Sequence, residues 1–147
     1  MLLSQSNDAI EFIKQNLSKG EKLYVYGFSL GGDEAINKLV PMLRKEGIKV
    51  ELLITVDAAK GYLPIDNIIE DNVKENINFF QLLPDTHESK GQANQRTDGT
   101  WKGIFNIKVN NTIHDKIDED TKKWVIPMLE EKIIKNNNNK TEKNNGE

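Results

Sequence analysis

The chain lacks cysteine altogether and has only two histidines, His87 and His114, among its 147 residues. The lack of cysteine excludes disulfide bonds and metal sites built from thiolates. Two histidines are too few for a histidine-rich metal site. No apolar run approaches the ~20 residues that a membrane helix needs, so the sequence predicts no transmembrane segment.

Neither positive nor negative charge is present in large excess. The formal net charge is -3, which gives no basic surface for a nucleic acid, so we expect no nucleic-acid partner. The N-terminal stretch MLLSQSNDAI lacks the basic and apolar regions of a signal peptide, and we expect a cytoplasmic location. Hydrophobic residues make up 37% of the chain, which is enough for the core of one soluble domain.

Segments with strand and helix patterns alternate along the chain. Apolar runs predict strands at residues 23–26, 50–56, 77–83 and 104–109. Helical spacing predicts helices at residues 6–18, 30–45 and 118–134. Pro41 should kink the second helix because it removes a backbone hydrogen bond. Such alternation is typical of a parallel sheet, so we expect an α/β fold with about four parallel strands and flanking helices.

The helices should bury one face each, and the C-terminal residues should not fold. We expect these apolar residues of the first and last helices to face the core: Ile10, Phe12, Ile13, Leu17, Trp124, Val125, Met128, Leu129 and Ile133. Residues 1–134 then form one domain. Residues 135–147 are polar and of low complexity, so we expect a disordered tail.

The segment Gly27-Phe28-Ser29-Leu30-Gly31 matches the pattern G-x-S-x-G directly between a predicted strand and a predicted helix. Such a sharp turn strains the central residue, and the flanking glycines let chain segments pass closely. The side chain of Ser29 is then raised at the carboxyl end of the strand, as a nucleophile requires. The Leu30 N–H, in the first helical turn, is the oxyanion donor that we predict.

A phosphate-binding turn or a plain tight turn is the alternative interpretation of these glycines. Gly32 is followed by Asp33 and Glu34, whose negative charges repel phosphate, and this favours the nucleophile.

A serine nucleophile needs a base within hydrogen-bond reach. His114 follows the last predicted strand, and the chain order Ser, Asp, His of hydrolases with this turn favours it over His87. Two acids end strands at the same edge of the sheet. Asp57 interrupts an apolar strand without an evident turn function and is favoured over Asp85, which lies in an ordinary Pro-Asp-Thr turn.

These motifs, in this order, resemble the lipase-like branch of the α/β-hydrolase superfamily. They are YGFSLGG from Tyr26, ITVDAAKG from Ile54, NVKENINFFQ from Asn72 and HDKID from His114. The resemblance covers about two thirds of the chain and implies Ser29 as nucleophile, Asp57 as acid and His114 as base. It also implies a small acyl ester as substrate, a shortened α/β-hydrolase core, and no metal or organic cofactor.

Complete members of this superfamily have several strands before the nucleophile turn, whereas here one helix precedes it. The strand at residues 23–26 is therefore expected at an open edge, where it can pair with a second copy or a complementing chain. The alternative function is a non-catalytic or truncated module that needs such a partner. Thioesters and amides use the same residues and stay open as substrates.

The polar segment at residues 84–103 should form a long loop near the site, because loops of that length are usually functional or mobile. Trp101, near its end, is expected in the core, with contact to an acyl chain as the alternative.

Overall fold

The computed structural model describes residues 3–61, 63–83 and 90–145. The elements follow in the order α1 (Leu3–Asn16), β1 (Tyr24–Phe28), α2 (Leu30–Glu34), a π-helical turn (Ala35–Leu39), α3 (Val40–Lys45), β2 (Val50–Val56), β3 (Ile68–Ile69), β4 (Val73–Phe80), β5 (Gln95–Arg96), β6 (Ile104–Lys108) and α4 (His114–Asn145). Together, α2, the π turn and α3 form a composite helix over residues 30–45.

The main sheet confirms the predicted α/β class. Its four strands lie in the order β1-β2-β4-β6 and are all parallel. Their carboxyl ends therefore meet at one edge, which carries the residues that follow Phe28, Val56 and Phe80. The strand predicted at an open edge, β1, is the first strand of this order and, within the described part of the chain, pairs with β2 alone.

Helices cover the two faces of the sheet and bury its apolar side chains. On one face, α1 and residues 30–45 pack on strand residues that include Val50, Leu53 and Val73. On the other face, α4 packs through Ile117 and Val125 on Leu52, Ile54 and Phe79. The near-continuous apolar sequence of β2 follows from this arrangement, because both of its faces are covered.

The helix over residues 30–45 buries Ala35, Ile36, Leu39, Val40 and Leu43 but is not uniformly α-helical. Ala35–Leu39 form a π-helical turn, which the Val40 N–H closes by donating to the Ala35 carbonyl. Pro41 follows at once and has no N–H to continue an α-helical ladder. A π turn commonly marks a functional region of a helix, and this one lies six residues after Ser29.

Several predicted boundaries differ from the structure. Strand β4 begins at Val73, four residues before the predicted start, because it continues the pairing with β2 from Val50 onward. Short strand β3, between the second and third predicted strands, pairs with short strand β5, which lies in the segment predicted as a long loop.

The prediction that Phe12 faces the core was wrong. Its side chain is 66% exposed, since it lies about 200° around the helix from the buried Ile10. Trp101 is also not in the core and is 58% exposed. It precedes β6 at the amino end of the strands, opposite the edge that carries Ser29.

Helix α4 is longer than predicted at both ends. It begins at His114, which the sequence places in a loop, and continues to Asn145 through residues predicted to be disordered. The Asn136 amide donates to the Tyr24 hydroxyl, so a contact with β1 supports the extension at the C-terminal end.

Trp124 and Ile133 of α4, predicted to face inward, are half exposed. Trp124 stacks on Phe79 with its ring centroid 6.1 Å away, while Phe105 and Ile107 of β6, on the same face, are exposed as well. The helix therefore covers β2 and β4 but leaves β6 open. No helix within the described ranges is both long enough and apolar enough to cross a membrane.

Candidate active site

Ser29 lies in the turn between β1 and α2 with a backbone conformation that non-glycine residues rarely adopt. Its φ is 56° and its ψ is -122°. The turn is held on both sides, because the Ser29 N–H donates to the Val56 carbonyl and its own carbonyl accepts from Gly32, Asp33 and Ala59. The strained conformation is thus maintained by hydrogen bonds to β2, to the residues that follow it and to the first turn of α2, and strain of this kind persists only where the surrounding structure holds it.

Close packing explains two of the three glycines around Ser29. A Cβ at Gly27 would lie 2.7 Å from the Gly31 carbonyl oxygen, and one at Gly32 would lie 2.8 Å from the Ala58 Cβ. A Cβ at Gly31 would meet nothing within 4 Å. The close approach expected at Gly31 is therefore made at Gly32 instead, because the helix presents that residue to the chain after β2.

His114 reaches Ser29 from the far end of the chain. Its Nε2 lies 2.7 Å from the Ser29 Oγ, and its ring stacks on Phe28 at 5.3 Å between centroids. The residue is 7% exposed. His114 occupies the first position of α4, and the Thr112 hydroxyl bonds to Asp120 across this start, so the helix holds the imidazole at the carboxyl edge of the sheet.

Asp57 follows β2 and completes the hydrogen-bonded chain. Its Oδ2 lies 2.8 Å from the His114 Nδ1, and the residue is fully buried. Like Ser29, Asp57 has a positive φ, at 45°. A carboxylate on Nδ1 fixes the imidazole tautomer so that Nε2 accepts the serine proton.

Three further donors to Asp57 come from residues to which sequence analysis assigned no role. Oδ1 accepts the N–H of Gln81 at 3.1 Å and that of Gly91 at 2.5 Å. Oδ2 also accepts the Gln81 side-chain Nε2 at 2.8 Å. Gln81 is the last residue of the NVKENINFFQ motif, and this position is the one feature of the sequence that could have identified it as part of the site. Nothing in the local sequence distinguishes Gly91.

The segment that follows Gly91 lies over the sheet and is held there by hydrogen bonds to a layer of asparagine side chains. Asn78 donates to the Gln92 carbonyl at 2.8 Å, and the Asn94 backbone N–H donates to Asn106 Oδ1 at 2.8 Å. The side chain of Asn94 bonds to Asn76 at 2.9 Å. The long segment predicted near the site therefore meets it at Gly91, and then runs along the sheet to the opposite edge.

The remaining predicted residues fall into two groups. Leu30 is the first residue of α2, directly after Ser29, where its N–H has no earlier carbonyl of the same helix to accept it. The alternative base His87 and the alternative acid Asp85 lie outside the described residues.

The arrangement can move a proton from a serine hydroxyl to an imidazole held by a buried carboxylate. The chain was compared with models of protein families, with curated proteins and with solved structures, and none of them matches it.

Proposed function

We propose that this chain is a serine hydrolase that cleaves a small carboxylic ester through an acyl-enzyme, with Ser29 as nucleophile, His114 as base and Asp57 as acid. The observation that carries the proposal is the 2.7 Å separation between Ser29 Oγ and His114 Nε2. These residues are 85 positions apart, and the contact is made at a strained turn. Packing of a core does not require a serine at such a position.

In the proposed reaction, the Ser29 oxygen attacks the ester carbonyl while its proton passes to His114 Nε2. The Asp57 carboxylate stabilises the imidazolium that forms. The Leu30 N–H donates to the oxyanion, at the positive end of the helix that begins there. The imidazolium then protonates the departing alcohol, and water, activated by the same imidazole, hydrolyses the acyl-enzyme. Thioesters and amides pass through the same steps.

The test is covalent labelling with a fluorophosphonate probe, which reacts with activated serines. We expect wild-type protein to be labelled and Ser29→Ala to be unlabelled. Ser18→Ala is the matched control, because Ser18 is exposed and lies outside the site. No labelling of folded wild-type protein would count against the hydrolase.

The labelling rate with the same probe distinguishes His114 from His87 as the base and Asp57 from Asp85 as the acid. His114→Gln and Asp57→Asn should each lower the labelling rate by a factor of 10³ or more, as loss of a triad member does. His87→Gln and Asp85→Asn should leave the rate within about twofold. The reverse pattern would assign the roles to the second pair.

A non-catalytic module that needs a partner is the second proposal, and the edge position of β1 favours it. In the ladder with β2, Glu51 donates to Leu23 and Ser29 donates to Val56. In a parallel ladder, the backbone N–H and C=O groups of every second residue bond to the same neighbouring strand. The N–H and C=O groups of Tyr24, Tyr26 and Phe28 therefore point away from β2. A second copy or a complementing chain can pair there. A monomer in sedimentation that hydrolyses p-nitrophenyl acetate would contradict this proposal.

A cytoplasmic location also stays a prediction.

A further inference from the structure

The buried environment of Asp57 identifies residues that act on the proposed reaction without touching substrate. We propose that Gln81 and Gly91 are positioning residues, which hold the buried Asp57 carboxylate through hydrogen bonds and direct its Oδ2 toward the His114 ring. This inference rests on the proposed function, because it concerns the acid of the same site.

Burial makes the Asp57 carboxylate dependent on its donors. The residue is 0% exposed, and an ionised carboxylate removed from water is costly unless hydrogen bonds compensate it. A carboxylate has about four acceptor sites. Among the described residues, Gln81 supplies two donors, Gly91 one and His114 one. Three of the four therefore come from the two proposed positioning residues.

The division of donors between the two oxygens fixes the orientation of the carboxylate. Oδ1 accepts two backbone N–H groups, those of Gln81 and Gly91. Oδ2 is shared by the Gln81 side chain and the His114 Nδ1, each at 2.8 Å. A rotation of the carboxylate breaks bonds at both oxygens, so the imidazole meets an acceptor whose position is already determined.

Only glycine fits at position 91. A Cβ there would lie 2.5 Å from the Asp57 Oδ1 and 2.9 Å from the Asp57 Cα. The backbone of this segment can therefore approach the carboxylate closely enough to donate to it. The Asn78 amide, which donates to the Gln92 carbonyl, fixes the next residue of the segment.

Among the residues that the structure describes, the charged groups nearest to the site have their own partners or are exposed. Asp33 accepts from Asn37, and Glu34 pairs with Lys38. Asp118 of α4 accepts from Tyr26 and pairs with Lys122. Lys60 and Asp115, next to the site in sequence, are exposed.

Loss of the Gln81 side-chain donor should change the proton affinity of the pair. With one bond fewer, the Asp57 charge depends more on His114, and this stabilises the imidazolium over the neutral imidazole. The pKa of the pair then rises, so less of the base is available at neutral pH. A residue with a merely structural role would lower the folded fraction and leave this pKa unchanged.

The experiment compares wild type with Gln81→Met, which keeps the length of the side chain and the backbone N–H but removes the donor. We expect the acidic limb of the pH profile for p-nitrophenyl acetate hydrolysis to move up by about one pH unit, a tenfold change in proton affinity. The His114 ring carbon signal, followed by NMR and assigned with His114→Gln, should show the same shift. The exposed Gln95 provides the control Gln95→Met, which should change neither value.

Gln81→Glu supplies the same test if the methionine variant does not fold. It replaces the donor by a second acid beside Asp57, and the pKa should rise further because like charges oppose ionisation. An unchanged profile and NMR titration, in folded variants of an active wild type, overturn the positioning role alone. Failure of both variants to fold also overturns it, since Gln81 is then structural. An inactive, unlabelled wild type rejects the hydrolase, while the NMR titration still reports on Gln81.

Discussion

Ser29 and Asp57 both combine a side chain of the site with a positive φ, at 56° and 45°. Such conformations cost about 1–3 kcal/mol each, and the structure offsets them locally. Ser29 is held by Val56 and Ala59, and Asp57 by the Phe79 carbonyl, which accepts its N–H at 2.7 Å. The two strained residues follow neighbouring strands, so the sheet itself maintains both.

At the scale of single residues, the two glycines after Ser29 make a matched pair. Gly32→Ala should lower the free energy of unfolding by about 1–3 kcal/mol, because its Cβ would lie 2.8 Å from the Ala58 Cβ. Gly31→Ala has open space and should be neutral or stabilising by up to ~1 kcal/mol, since alanine favours the helix. Urea unfolding of both variants measures this difference. Equal losses would contradict the close approach at Gly32.

At the scale of elements, tyrosines of β1 connect the sheet to α4. The Tyr26 hydroxyl bonds to Asp118, one turn after His114. The Tyr24 hydroxyl bonds to Asn136, much farther along the helix. Burial, and then the bond to Asp118, raises the pKa of Tyr26 above its ordinary value. The contact that positions the start of α4 therefore requires a protonated phenol.

Tyr26→Phe should lower the free energy of unfolding by about 0.5–1.5 kcal/mol, the usual loss for one hydrogen bond, and should slow labelling of Ser29 because the start of α4 is less fixed. Tyr24→Phe should affect stability alone.

Since the phenol of Tyr26 loses its proton near pH 10 in the unfolded chain and at higher pH in the folded chain, the free energy of unfolding should fall as pH rises above ~10. That fall should be smaller in Tyr26→Phe. The free energy of unfolding, measured between pH 8 and 11 for wild type and Tyr26→Phe, tests this prediction. An identical pH dependence in these two proteins would contradict it.

At the scale of the whole molecule, the segment from Gly91 to Arg96 connects the two ends of the sheet. Near its middle, the fully buried Asn94 bonds to Asn76 and Thr55 through its amide nitrogen. Its amide oxygen accepts from Asn67. Arg96 then donates to the Glu70 and Lys74 carbonyls at the amino end of β4. A polar layer thus replaces an apolar helix on this part of the sheet.

Asn94→Ala should lower the free energy of unfolding by about 3 kcal/mol or more, because it leaves several buried polar groups without partners, each costing roughly 1–3 kcal/mol. Asn110→Ala is the control, because Asn110 is exposed, and should change stability by less than about 0.5 kcal/mol. Chemical denaturation measures both. A loss at position 94 no larger than at position 110 would show that the amide layer is not needed for stability.

The sequence alone determined the features that depend on neighbouring residues. The apolar run of β2 predicted a strand buried on both faces, and the strand, turn and helix around Ser29 predicted where its hydroxyl is raised. The alternation of elements predicted a parallel sheet, whose carboxyl ends necessarily share one edge. His114 and Asp57 followed from chain order and resemblance, and their roles stay predictions.

Only the tertiary structure decided which distant groups complete the surroundings of Asp57. Gly91 is 34 residues away and Gln81 is 24 residues away. The motif that ends at Gln81 does not show which group the glutamine contacts, and nothing local marks Gly91, because a hydrogen bond between distant segments depends on how the chain closes over the sheet. The same reason explains the exposure of Trp124 and the helical residues 135–145. Periodicity identifies the apolar side of a helix, but the extent of the neighbouring sheet decides how much of that side is covered.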